Sequence, residues 1–306
     1  MAGSGADMAQ LPRLPAEAPP LRGDSSPADR AVSSLRAHGF AVVSLPSDEA
    51  AVLGRCVVTF HTALQQEHRR GVAEGRSLVP TSCDLPGEST QATLRLAAFA
   101  ERAQLRYEPN ASLPSDEASS PLEEAAKASA QILSLLLCST LSSIHESGVD
   151  APLDGARLLD AFYYPGDNAW RAMVGHERPL PTPCPAHEDV GMLTVVMDNA
   201  NALEVKMGDD WSLVPLTPGE CALIVGRQLD ALTNGEFPAC MHRVRPLTEQ
   251  RTSLTFEVRC DEKAANRAAA AESARALAAS NENFVRATSA LSQLTDANHS
   301  SRCAVM

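Results

Sequence analysis

A chain of 306 residues with 44% hydrophobic and 21% charged residues is long enough to bury one large core or two ordinary ones. Its formal net charge of −12 repels phosphate backbones, and no run of Lys or Arg exceeds a pair, which argues against a general nucleic-acid binder. The longest strongly apolar stretch, Ile132 to Cys138, is interrupted by Ser134 and is too short to cross a bilayer.

The first 28 residues hold Pro12, Pro15, Pro19, Pro20 and Pro27 among Ala, Gly and Ser, a composition that reads as a disordered tail. A helix is expected from Ser26 to the stop at Gly39, then a short strand from Phe40 to Leu45 ended by Pro46. A longer helix follows to about Arg70, with His61 and His68 on one face, read as surface histidines rather than a metal pair. Residues 73 to 90 read as loop and Gln91 to Tyr107 as helix. Ser120, Pro121, Glu123 and Glu124 then open the best helix in the chain, which runs to about Gly148 with one buried face from Leu122 to Ile144.

Past Asp154 the texture is β-like. Arg157 to Tyr164 reads as a strand stopped by Pro165-Gly166, and residues 167 to 186 as irregular. Short strands are expected over 191–197, 202–207, 211–214, 221–225, 241–244 and 253–259. Pro246, Leu247, Thr248 and Glu249 imply a hairpin returning past the strand of His242. From residue 261 an Ala-rich helical tail is expected. The divisions are thus a tail (1–28), a mainly helical module (29–153), a β core (154–260) and a helical tail (261–306).

Three residues carry candidate metal chemistry. His187 and Asp189 sit two apart, so an extended segment would present both on one face, and His242 could complete two imidazoles and a carboxylate. Such a triad leaves positions open on non-haem iron. Arg251 and Ser253 repeat the two-residue spacing, and a guanidinium with a hydroxyl on one face suits a bound carboxylate. Other readings of the same residues are satisfied core histidines, or zinc held with Cys184 or Cys240, which lie close to the two histidines. Trp170, Arg171, Met173 and His176 occupy the long irregular segment and are substrate-pocket candidates.

In order, His187-Glu188-Asp189-Val190, Pro218-Gly219, Thr233-Asn234-Gly235, His242-Arg243-Val244 and Arg251-Thr252-Ser253 resemble the core of the iron(II)/2-oxoglutarate-dependent dioxygenase superfamily, in its isopenicillin N synthase-like branch. The upstream His38-Gly39-Phe40 resembles that branch's amino-terminal module, so the resemblance covers about residues 30 to 260. It implies an α+β fold around a double-stranded β-helix, or jelly-roll. It also implies Fe(II) on His187, Asp189 and His242, O2 as oxidant, and 2-oxoglutarate on Arg251, Ser253 and Tyr164, with no catalytic group beyond the iron centre. Tyr163-Tyr164-Pro165 matches the family's Asn-Tyr-Tyr-Pro, but Phe162 stands at the Asn position and removes one polar contact.

The activity implied is oxidation of a small molecule, by hydroxylation or desaturation, coupled to decarboxylation of 2-oxoglutarate to succinate. A 2-oxoglutarate-independent oxidase like isopenicillin N synthase is the alternative, and a catalytically silent binding protein the third class. Eight scattered cysteines without a CxxC pair, and no leader-like start, are read as reduced thiols in a cytoplasmic protein rather than an organelle-targeted one. The terminal Cys303-Ala304-Val305-Met306 has the form of a prenylation signal. No polybasic run precedes it, and one lipid binds membranes only marginally, so it is read as a chance match.

Overall fold

The computed structural model describes residues 27–73, 94–98, 102–109, 120–146, 156–166 and 184–260. In chain order these form α1 (Pro27–His38), β1 (Phe40–Ser44), α2 (Ser47–Ala73), β2 (Leu94–Ala98), β3 (Ala103–Tyr107), α3 (Pro121–Glu146), β4 (Arg157–Tyr164) and β5 (Cys184–His187). Then come β6 (Leu193–Asp198), β7 (Leu203–Met207), β8 (Asp210–Leu213), β9 (Glu220–Val225), α4 (Arg227–Leu232), β10 (His242–Val244) and β11 (Arg251–Val258). The first tail, the Ala-rich segment from 261 and Cys303-Ala304-Val305-Met306 lie outside the described residues.

The fold is α+β with two antiparallel sheets. One runs β1-β9-β6-β11-β4-β3-β2, the other β5-β10-β7-β8. Alternation along the strands of the larger sheet separates its two faces. Leu254, Phe256 and Val258 of β11, Leu159, Ala161 and Tyr163 of β4, and Leu193 and Val195 of β6 pack with Leu35, Leu53, Phe60, Leu133 and Leu137 of the helices. The intervening residues of the same strands point the other way. There Val196 and Ile224 join Leu203 and Val205 of the smaller sheet in a second cluster, which closes one end of the space between the sheets. The rest of that inner face carries polar side chains together with the Phe162 and Tyr164 rings, and this is where the candidate residues collect.

Local signals explain most element ends. Ser120 accepts the Glu123 amide through its hydroxyl at 3.2 Å and so caps α3. Although α3 is long and apolar enough by composition to cross a membrane, it buries nine residues along one side and packs on α1 and α2. Gly39 ends α1 with φ +73° and donates its amide to Leu35 O at 2.8 Å.

Several expectations are corrected. Gln91 to Tyr107 is not a helix: β2 and β3 pair antiparallel and β3 pairs with β4, so sheet pairing overrides the helix-forming Ala, Leu and Arg of this stretch. Residues 245–250 do not make a hairpin. β10 pairs with β5 and β7, whereas β11 pairs with β4 and β6, so the chain crosses from one sheet to the other. His61 and His68 are not surface residues, because their face of α2 lies on the sheet. His68 is buried, His61 meets the Thr252 hydroxyl at 2.8 Å, and the two rings flank Tyr163 at 5.4 and 5.7 Å. Helix α4 was not expected, since six residues are too short to display a helical period.

Helix α4 braces the turn that carries Asp189. The amides of Gly226, Arg227 and Gln228 donate to the carbonyls of Met192, Asp189 and Gly191 at 3.0, 2.9 and 3.1 Å. This approach requires glycine at 226, where an added Cβ would lie 2.2 Å from Gly191 O. Gly226→Ala is therefore expected to lower stability by about 1–3 kcal/mol, the range for forced overpacking. Gly54, inside α2, has open space around it, so Gly54→Ala should raise stability by about 0.5–1 kcal/mol. Urea midpoints of the two variants moving in the same direction would contradict this account of the turn.

Candidate metal centre and carboxylate pocket

His187 ends β5 and His242 begins β10, and the two are direct cross-strand partners. Their rings therefore share a face, with centroids 4.3 Å apart at 52°. Each imidazole is oriented by the backbone two residues before it. His187 Nδ1 lies 2.9 Å from Pro185 O, and His242 Nδ1 lies 3.0 Å from Cys240 O. A carbonyl oxygen only accepts, so each Nδ1 carries the hydrogen and each Nε2 presents its lone pair.

Both Nε2 atoms face Asp189 Oδ1, from 3.5 Å (His187) and 3.7 Å (His242). One potential ligand atom from each of the three residues lies within 4.8 Å of the others. Burial by itself would push the Asp189 pKa up, but hydrogen bonding from His187 and Thr194 and the charge that His242 and His187 can carry outweigh it and hold the carboxyl at about 2. Burial lowers the pKa of His242 despite the neighbouring carboxylate, which favours the neutral ring. Two imidazole lone pairs thus converge on an anion, and Asp189 Oδ2 is buried without a hydrogen-bond partner. A cation placed among them would satisfy all three groups. The donor set of two nitrogens and one carboxylate fits a divalent transition metal and needs no thiolate.

The cysteines weighed for zinc do not join the cluster. Cys184 Sγ approaches His187 on its Nδ1 side at 3.7 Å, and Cys240 Sγ bonds Met241 O at 3.8 Å. Burial pushes the Cys240 thiol up to about 12, so it stays protonated. Among the described residues, the only group able to hold a metal is His187, Asp189 and His242.

Opposite lies the inner face of the larger sheet. Arg251 pairs across with Tyr164, and Ser253 with Phe162 on one side and Asp198 on the other. Arg251 and Ser253 are both buried. Arg251 Nε donates to Asp198 Oδ1 at 2.9 Å and the guanidinium lies 5.0 Å over the Tyr164 ring, while Nη1 is buried with no partner. The fork is thus held at one edge and offers a donor at another, a fit for a carboxylate. A single cavity of about 190 Å³ is lined by the three metal-capable residues together with Arg251, Ser253 and Tyr164.

Sequence reasoning missed Asp198. It ends β6, accepts the amides of Ala200 and Ala202 at 2.9 Å each, and orients Arg251 with the same carboxylate. Its acid before a turn was the available signal, but the partner 53 residues away was not. Trp170, Arg171, Met173 and His176 lie outside the described residues.

Residues 158–259 match the family described as the 2OG-Fe(II) oxygenase superfamily. Over 130 residues the chain is 31% identical to 2-oxoglutarate-dependent dioxygenase 19 of Oryza sativa subsp. japonica, a match covering 40% of this chain and 37% of that one. Over 72 residues it is 43% identical to isopenicillin N synthase of Streptomyces microflavus, covering 23% and 21%. The matches to the curated relatives thus span less than two fifths of the relatives' length. The structure of a dioxygenase for auxin oxidation in rice superposes with a TM-score of 0.55 over 78% of each chain, at 20% identity, a likeness of fold.

With this donor set the full chain is expected to take up one Fe(II) or Co(II) per molecule under anaerobic conditions. His187→Ala, Asp189→Asn and His242→Ala should each weaken uptake by more than the roughly 10–100-fold that loss of an outer-shell partner costs. Equal metal content in parent and variants after dialysis would reject the cluster as a metal centre.

Proposed function

We propose, from the match of residues 158–259 to the 2OG-Fe(II) oxygenase superfamily, that the chain is a non-haem Fe(II)- and 2-oxoglutarate-dependent oxygenase that oxidises a small molecule with O2, releasing succinate and CO2. The observation that carries the reading is one cavity holding two complementary demands. At one side Asp189 Oδ2 has no partner beside two imidazole nitrogens; at the other a buried Arg251 nitrogen has none. A metal satisfies the first and a carboxylate the second, and 2-oxoglutarate carries groups for both.

In this reading the two sheets are the two halves of a double-stranded β-helix. His187, Asp189 and His242 hold the iron, and Arg251, Ser253 and Tyr164 hold the distal carboxylate of 2-oxoglutarate. Bound there, iron with 2-oxoglutarate supplies oxidative decarboxylation coupled to oxidation of a C–H bond. The protein's part is placement. The carbonyls of Pro185 and Cys240 fix both imidazole tautomers, and Asp198 fixes the guanidinium in plane. Burial of Arg251 and Ser253 keeps water from competing for the carboxylate. With Phe162 in place of a polar side chain, the co-substrate depends more heavily on Arg251.

Succinate should appear only when the full chain is supplied with Fe(II), O2 and 2-oxoglutarate. Arg251→Lys keeps the charge but loses the fork and its Asp198 contact, so KM for 2-oxoglutarate should rise about tenfold or more. Ser253→Ala, which removes one neutral hydrogen bond, should raise it only several-fold. The short match to isopenicillin N synthase favours one rival, an iron oxidase independent of 2-oxoglutarate. Succinate-free oxidation of substrate at full rate would decide for that rival.

A further inference from the structure

Strand β11 presents a guanidinium at each end of its cavity face. The period of two that turns Arg251, Ser253, Thr255 and Glu257 inward carries on to Arg259, whose amide donates to Ala156 O at 2.8 Å and extends the pairing with β4. Each of the two arginines is held by a carboxylate that the backbone also satisfies. Asp198 accepts the amides of Ala200 and Ala202 and holds Arg251 Nε. Glu257 accepts the Gly191 amide on Oε1 at 2.6 Å and holds Arg259 with Oε2, at 3.1 Å from Nε and 2.8 Å from Nη2.

The two differ in setting. The Arg251 side chain is 2% exposed and that of Arg259 31%, so Arg259 stands at the open end of the space. Among the described residues Arg259 bonds Glu257 alone, through the Nε side of its guanidinium. The terminal edge formed by Nη1 and Nη2 keeps N–H donors that this carboxylate does not engage. Glu257 also fixes an apolar neighbour. Gly191, whose amide it accepts, follows Val190, which lines the cavity and is 45% exposed. The other large apolar side chains left exposed among the described residues, Val58 and Leu135, belong to α2 and α3 and do not line the cavity. An apolar group open beside the metal-capable residues is one that a ligand would cover with gain.

We propose that Arg259 and Val190 form the substrate-selecting end of the cavity, where the terminal edge of Arg259 receives a carboxylate of the molecule to be oxidised and Val190 packs on its apolar body. The substrate class is then a small carboxylic acid with an apolar portion. Because Arg251 and Ser253 serve the co-substrate at the other end of β11, the two carboxylates have separate seats. This inference deepens the oxygenase reading and rests on it for the word substrate; the subsite itself is tested by binding.

The test uses the full chain, loaded with Fe(II) and 2-oxoglutarate under argon and also metal-free. It is titrated calorimetrically with two pairs of probes, phenylacetate with phenylacetamide and hexanoate with hexanamide. In at least one pair the acid should bind about tenfold more tightly than the amide, the worth of a charge-assisted contact over a neutral one. Arg259→Gln should reduce that preference to about twofold or less while 2-oxoglutarate affinity stays within about twofold. Arg259→Lys keeps the charge beside Glu257 but loses the terminal edge, so it should cut the preference to about threefold and answers the question even where R259Q does not fold. Val190→Ser should weaken acid and amide alike and leave their ratio unchanged. No preference for the acid in either pair, including no binding of any probe, overturns the subsite. So does a preference that survives R259Q or, where that variant does not fold, R259K, and unchanged binding in V190S overturns the role of Val190. Weakening of 2-oxoglutarate about tenfold by R259Q overturns the subsite too, by assigning Arg259 to the co-substrate. Failure of 2-oxoglutarate to bind the parent would sink the oxygenase reading alone, since the metal-free titration, set against R259Q, still reports acid over amide.

Discussion

The structure turns on the cost of bringing two imidazoles and a carboxylate together at one point. His187 and His242 each commit Nδ1 to a backbone carbonyl, which leaves both Nε2 atoms facing the Asp189 carboxylate. Such an arrangement is unfavourable in a protein interior unless a cation occupies it. The surroundings are nevertheless built to hold it. The turn carrying Asp189 is tied to the start of α4 by three amides, and the Gly191 amide donates to Glu257 at 2.6 Å. Stability is given up at one point and recovered in the frame around it, a pattern common at functional sites.

That frame depends on the two-sided character of the larger sheet. On β11 the residues Leu254, Phe256 and Val258 are bound into the helical core, while Arg251, Ser253, Thr255 and Glu257 line the cavity. Because the side-chain period is two, core packing and site geometry are set by one register. Thr252, on the helical side, is held by His61 of α2. Helices that touch neither the metal-capable residues nor the carboxylate pocket thereby hold the strand that carries Arg251. Phe162 illustrates the same coupling: its ring stacks on Tyr164 and seats Arg102, so a residue that looked like the loss of a polar contact is part of an aromatic wall.

Much of the architecture was legible because its signals are local. The cap at Ser120, the stop at Gly39 and the alternation of β4 and β11 are each written within a few residues. The elements misjudged have the opposite property. β2 and β3 are made of residues with helical preference and become strands through pairing with β4. The segment 245–250 carries turn chemistry that says nothing about which sheet receives the next strand. His61 and His68 share a helical face, yet only packing reveals that this face is covered.

For the candidate site, the sequence by itself determined the residue types and their faces: His187 with Asp189, His242, and Arg251 with Ser253, each legible from spacing. Tertiary structure alone decided how they meet. It pairs His242 with His187 across two strands 55 positions apart, sets Asp198 against Arg251, and lays Arg102 on Phe162. The reason is physical. Periodicity encodes which way a side chain points, but tautomer, ion-pair partner and cavity depend on backbone groups and registers supplied by distant segments.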